Sequence, residues 1–211
     1  MKPFPRLRKF LQYAALAGLG LLAAGLLVVF GTGDFGATQC VLNGLETRAL
    51  AHRSTLLDRL ALKALYQALL VVGRVRHPQA AEFLAYYCAG RGDTLRFDAA
   101  PLLRHPEVQL ALRHHKQAIS FRHHAPTQPR HHVVRRTDPD LYYAFDLLFI
   151  RQRPGRVVFY DQYYFQPLAR RSRTAFRLGR VRFQLNDGLI HVAYPRARPF
   201  TTYGEVRTNG R

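Results

Sequence analysis

The first thirty residues constrain this chain more than any other stretch. Lys2, Arg6, Arg8 and Lys9 precede Phe10–Phe30, which runs 21 residues without a charge. A helix crossing the hydrocarbon core of a bilayer needs about 20 apolar residues. The spacing therefore predicts a signal-anchor helix over 10–30 and a tethered domain beyond it. A cleaved signal peptide is the alternative, with small residues at Gly36-Ala37-Thr38. Its apolar stretch is usually only about 7–15 residues, however. Gln39 before Cys40 does not suit a lipoprotein site. The basic flank belongs on the cytoplasmic side. The rest of the chain is then expected outside the cytoplasm, periplasmic in a Gram-negative cell.

Charge is unevenly placed. The net charge is +19. Residues 31–100 hold eight Lys/Arg against six Asp/Glu, whereas residues 101–211 hold twenty against seven. Such a C-terminal half attracts anionic envelope components or an acidic protein, and nucleic acid only if the domain is cytoplasmic. A solvated basic surface with no dedicated ligand is the plainer explanation.

Residues 31–44 read as a linker. Asn43 and Glu46 read as a helix start, opening a domain over 45–211. Leu50, Leu57, Leu60, Ala64, Leu65, Ala68, Val71 and Val72 recur at helical spacing, with Arg48, Arg53, Arg59 and Lys63 largely on the other side. A second helix runs from Pro78 to Gly90, and Thr94–Phe97 reads as a short strand. A further helix through His115 and a strand at Ala118–Arg122 follow. LYYAFDLLFI from Leu141 and RVVFYDQYYF beyond the Pro154-Gly155 turn read as strands. FRLGRVRFQL alternates, with Val181, Phe183 and Leu185 opposite Arg180, Arg182 and Gln184. Asn186-Asp187-Gly188 signals a hairpin returning through LIHVAY, with Thr201–Thr208 as an edge strand. Helices followed by strands define an α+β domain. The expected form is helices packed on a curved antiparallel sheet. This order resembles that of NTF2-like domains and of the single-span proteins of type IV secretion. The resemblance covers element order over about 45–208.

Cys40 and Cys88 would close a 49-residue loop, a constraint of roughly 3–4 kcal/mol in the chain-entropy model. Cys88 also suits a buried free thiol beside Leu84 and Ala85. Three Arg-His-His triplets supply His114, His115, His123, His124, His131 and His132. Imidazoles ligate metals, but each pair carries an arginine that repels a cation. A basic surface that strengthens on acidification suits them better. Asp146, Asp161 and His191 interrupt apolar strands and are the candidate acid/base groups. A salt bridge to an arginine is the simpler reading of the two carboxylates. Arg170, Arg171, Arg173, Arg177, Arg180 and Arg182 alternate with Phe176 and Phe183, a mixture that suits anion contact. No nucleophile–base spacing, phosphate-binding glycine loop or cofactor motif is present. The expected function is a non-enzymatic extracytoplasmic binding or assembly module with a basic face. The alternative is a pocket-bearing envelope hydrolase or nuclease acting on a polyanion.

Overall fold

The computed structural model describes residues 35–121, 130–133, 139–170, 172–178 and 181–208. Residues 10–30 lie outside these. Among the described residues no helix is long and apolar enough to cross a membrane. The chain is mixed α and β. Its elements are α1 (Phe35–Leu50), α2 (Leu56–Arg76), α3 (Pro78–Ala89), β1 (Thr94–Arg96), α4 (Ala100–Arg104), α5 (Pro106–Arg113), β2 (Ala118–Ser120), β3 (His131–Val133), α6 (Pro139–Ala144), β4 (Leu147–Arg153), β5 (Arg156–Tyr163), a 3-10 turn (Leu168–Arg170), β6 (Arg173–Leu178), β7 (Val181–Asn186), α7 (Leu189–Ala193) and β8 (Phe200–Arg207). They divide into two compact units. Of the described residues, one holds those up to Tyr66 with those of 166–193, and the other holds those of 67–165 with those from Tyr194 onward.

In the first unit α1 begins at Phe35 and runs through the expected linker and the expected start at Asn43. The cap comes one helix later. The Thr55 hydroxyl accepts from the Asp58 amide at 3.1 Å, and the Asp58 carboxylate accepts from the Thr55 amide at 2.9 Å. This reciprocal pair satisfies two orphan donors and starts α2. The Arg48 guanidinium, 2.7 Å from Asp58, is the main cause holding that carboxyl down at about 2.

α1 packs on β7, the 3-10 turn and α7. FRLGRVRFQL is a hairpin of β6 and β7, paired from Arg173↔Asn186 to Leu178↔Val181. Phe183 and Leu185 point inward while Arg182 and Gln184 face water, as their alternation predicts. The side-chain amide of Gln39 donates to the Gln184 carbonyl and accepts from its amide, at 3.1 and 2.9 Å. It stands in for a strand on the exposed edge of β7.

The expected hairpin at Asn186-Asp187-Gly188 is replaced by the start of α7. Tertiary hydrogen bonds override the local turn signal. Asp187 is buried and accepts from the hydroxyls of Ser172 and Thr174 at 2.6 and 2.7 Å. The Asn186 amide donates to Glu46 and to the Leu168 carbonyl, and its oxygen accepts from the Gly188 amide. A Cβ at Gly188 would collide with the main chain of Leu168, so only glycine fits.

The second unit is built on a six-stranded sheet in the order β1-β8-β5-β4-β2-β3. The sheet is mixed rather than antiparallel, because β1 joins β8, and β3 joins β2, in parallel. β8 is flanked on both sides by partners and is not the expected edge strand. LYYAFDLLFI is a strand only from Leu147; its first residues form α6, with Pro139 in the helix's opening position.

One sheet face is apolar and covered. Leu148, Ile150, Val157 and Phe159 on it are buried. Phe83 of α3 sits edge-on to Phe97, Phe145, Tyr163 and Phe200. α3 ends where predicted, at Gly90, whose left-handed φ of 68° and close approach to the Arg196 carbonyl both require glycine. Cys40 and Cys88 are both free, so the expected bridge is not formed. Burial pushes the Cys88 thiol up to about 12, which suits a packed, unreactive sulfur.

Candidate anion-binding face of the six-stranded sheet

The other face of this sheet is open, and the pairing register maps it. Alternate residues of a strand share a face. Across the strands run His131, Ala118, Phe149, Tyr160, Tyr203 and Arg96, each opposite the next. One step along lie Arg151, Val158 and Glu205, and one step further Arg153, Arg156 and Arg207. Three arginines therefore stand directly opposite one another on three adjacent strands. Like charges in that relation repel and destabilise the pairing.

Aromatic rings border this row. Phe149 stacks on Tyr160 with centroids 5.2 Å apart and planes 14° apart. Arg151 lies over the Tyr160 ring at 5.9 Å and Arg96 over the Tyr203 ring at 5.6 Å. Glu205 is the carboxylate set among them. It accepts from the Tyr203 hydroxyl at 2.7 Å and from Arg156 at 3.3 Å. The Tyr203 bond first, and Arg156 second, hold its carboxyl below the ordinary range, and the same bond raises the phenol. The proton thus stays on the tyrosine. Among the described residues Arg151 and Arg153 have no carboxylate partner.

Two shallow cavities open on this face. One, of about 310 Å³, is lined by Arg151, Arg153, Arg156, Val158, Tyr160, Thr201 and Tyr203. The other, of about 480 Å³, lies between Phe149, Tyr160 and Arg151 and the basic side chains of His115, Lys116 and His131. Guanidinium forks match phosphate, sulfate and carboxylate oxygens two at a time. Flat rings beside them offer a stacking surface to a sugar or a base.

The other candidates fall elsewhere. Asp161 lies on the covered face, opposite Thr202, and is buried. Neither cavity is lined by it. Its expected arginine is replaced by main-chain donors: the Gln162 amide at 2.7 Å, with the amides of Asp146 and Leu147. Burial dominates and pushes the carboxyl up to about 7. Asp146 is exposed near it, while His191 belongs to the other unit.

A folded-state value above the unfolded one means the native state holds the extra proton between about pH 4 and 7. Stability therefore falls as pH rises through that window, by up to about 4 kcal/mol. Denaturant unfolding of Asp161→Asn should lack this decline. An identical pH profile in both proteins would refute it.

The histidines do not converge. His132 is paired with Glu107 at 2.6 Å, while its neighbour His131 faces the open side. His114 and His115 are exposed at the end of α5. Among the described residues no group of three or more His, Cys, Asp or Glu forms. His123 and His124 lie outside them.

Of the arginine run, Arg170 and Arg182 are exposed, whereas Arg173 is tied to buried Glu46 at 2.9 Å. Arg171, Arg180 and the side chain of Arg177 lie outside the described residues. The described members of the run belong to the first unit. The row on the open sheet was missed from sequence. Its legible part is Arg153-Pro154-Gly155-Arg156, where a two-residue turn must set two arginines opposite each other. Arg96 and Arg207 carry no such local signal. The chain matches no protein-family model, and no curated protein or solved structure is significantly similar to it.

Proposed function

We propose that this chain is a non-enzymatic binding or assembly module, anchored by residues 10–30 with its folded part outside the cytoplasm. The open sheet face engages an anionic envelope component or an acidic protein. The observation that carries this reading is the row Arg153–Arg156–Arg207 across adjacent strands. Glu205 pairs with Arg156 and relieves part of this repulsion, and a bound anion would relieve the rest. Support for the anchor is the uncharged 21-residue run behind a basic flank. The NTF2-like order belongs to the same proposal and rests on α1, α2 and α3 preceding every strand in the chain.

Inorganic polyphosphate is a suitable probe for the full chain. Arg151→Ser/Arg153→Ser is expected to weaken its capture at least about tenfold and to lower the salt slope by about 2. Arg170→Ser/Arg182→Ser should do much less. A larger loss from that second pair would move the site to the β6–β7 hairpin, and unchanged binding in both would end the proposal.

A further inference from the structure

The two cavities on the open sheet face lie within the second unit and share Arg151 and Tyr160. Their cations differ in kind. The smaller cavity takes its charge from Arg151, Arg153 and Arg156. A guanidinium keeps its proton throughout the physiological range. The larger is lined by His115 and His131 beside Lys116 and Arg151. Histidine is the side chain whose charge ordinarily changes between about pH 5 and 8.

The backbone places both imidazoles there. α5 closes with the Lys116 amide on the Ala111 carbonyl at 2.9 Å and the His115 amide on the Leu112 carbonyl at 3.1 Å. This closure sets residue 115 in the left-handed region, at φ 49°, where glycine is the usual choice. His115 holds that conformation, and its side chain lines the cavity. Backbone of this kind is kept mostly where the side chain is used. His131 stands on β3 opposite Ala118 of β2. Alternation turns His132 to the other face, where it meets Glu107. The groups facing the two imidazoles are Lys116 from the turn after α5, Arg151 from β4 and Tyr160 from β5. Arg113, His114 and Arg130 are exposed next to them in the chain. Among the described residues no carboxylate lines this cavity. Protonation therefore adds charge to a cluster of cations, and an anion bound there would offset the repulsion.

We propose that acidification extends the anion site. Protonated His115 and His131 form, with Lys116 and Arg151, a second subsite for a linear polyanion whose other part lies on Arg153 and Arg156. This subsite rests on the reading of the sheet face as an anion-binding surface. A bound anion favours the charged imidazoles, so capture tightens as pH falls.

The test measures capture of long-chain inorganic polyphosphate, whose internal groups stay ionised, by the full chain at about pH 8 and about pH 5.5 over a series of salt concentrations. The wild type is expected to bind at least about tenfold tighter at the lower pH, with a salt slope larger by about 2. His115→Gly/His131→Gln should lose most of that gain, and glycine suits the left-handed position. His115→Lys/His131→Lys should bind at the higher pH about as tightly as the wild type does at the lower. A gain that survives in His115→Gly/His131→Gln overturns the proposal and assigns the response to charge elsewhere. So does a wild type indifferent to pH while Arg151→Ser/Arg153→Ser still weakens capture, a result that leaves the arginine site standing. Capture unchanged by that arginine pair at both pH values ends both.

Discussion

Phe83→Ala should cost the second unit about 5 kcal/mol of stability. The Phe83 ring is fully buried and lies 5.4 to 6.3 Å from the centroids of Phe145, Phe97, Tyr163 and Phe200. Truncating such a ring leaves a cavity whose walls come from a helix, a loop and two strands, which cannot all collapse into it. Losses of about 3–5 kcal/mol are usual for this change. The four edge-to-face pairs place it at the upper end, since each adds a fraction of a kcal/mol or more beyond burial. Against a total of about 5–15 kcal/mol, a third or more of the stability goes. Urea unfolding of the wild type, Phe83→Leu and Phe83→Ala is the measurement. Leucine should recover more than half the loss. A cost below about 1 kcal/mol for alanine would show that this cluster does not hold the unit together.

Glu46→Ala should be the most damaging single change in the first unit. The carboxylate is buried in α1 and accepts from Arg173 and Asn186 at 2.9 Å each. Removing it strands two donors. Breaking a buried pair costs about 3–5 kcal/mol. The Arg173 side chain is partly open to water, so the lower end, about 3 kcal/mol, is expected. Glu46→Gln keeps one acceptor and should cost roughly half. The double variant Glu46→Ala/Arg173→Ala should cost less than the sum of the single changes. Strict additivity would show that the pair contributes nothing of its own.

Neither prediction was available from the chain alone. Glu46 meets partners 127 and 140 residues away. In sequence it looked like the third residue of a helix start. Strand existence was more legible. In β4, β5 and the two arms of the β6–β7 hairpin, β-branched and aromatic residues mark the elements locally. What failed was direction. α2 is apolar on two sides, and its periodicity mixed them: Leu57, Leu60 and Val71 are exposed, whereas Leu65 of the same set is buried in the core with Leu62, Leu69 and Leu70. Helical spacing reports that a face exists, not which face the rest of the chain covers. Asn186-Asp187-Gly188 failed for a related reason. Turn propensities amount to a fraction of a kcal/mol, and three buried polar side chains outweigh them.

The candidate site divides the same way. Excess positive charge in the C-terminal half is a property of composition and needed no fold. Arg153 and Arg156 were fixed opposite each other by a two-residue turn. Their alignment with Arg207, with Arg96 and with the stacked rings required β8 to enter between β1 and β5. By itself the sequence determined the uncharged N-terminal run, the α+β class, most element positions and the basic balance, because each follows from residues near one another in the chain. Only the tertiary structure decided which sheet face stays open, which arginines share it, that Asp161 turns inward and that both cysteines are free. Those outcomes depend on pairings between residues far apart in the chain, set by the total burial and hydrogen bonding of the folded chain rather than by local preference.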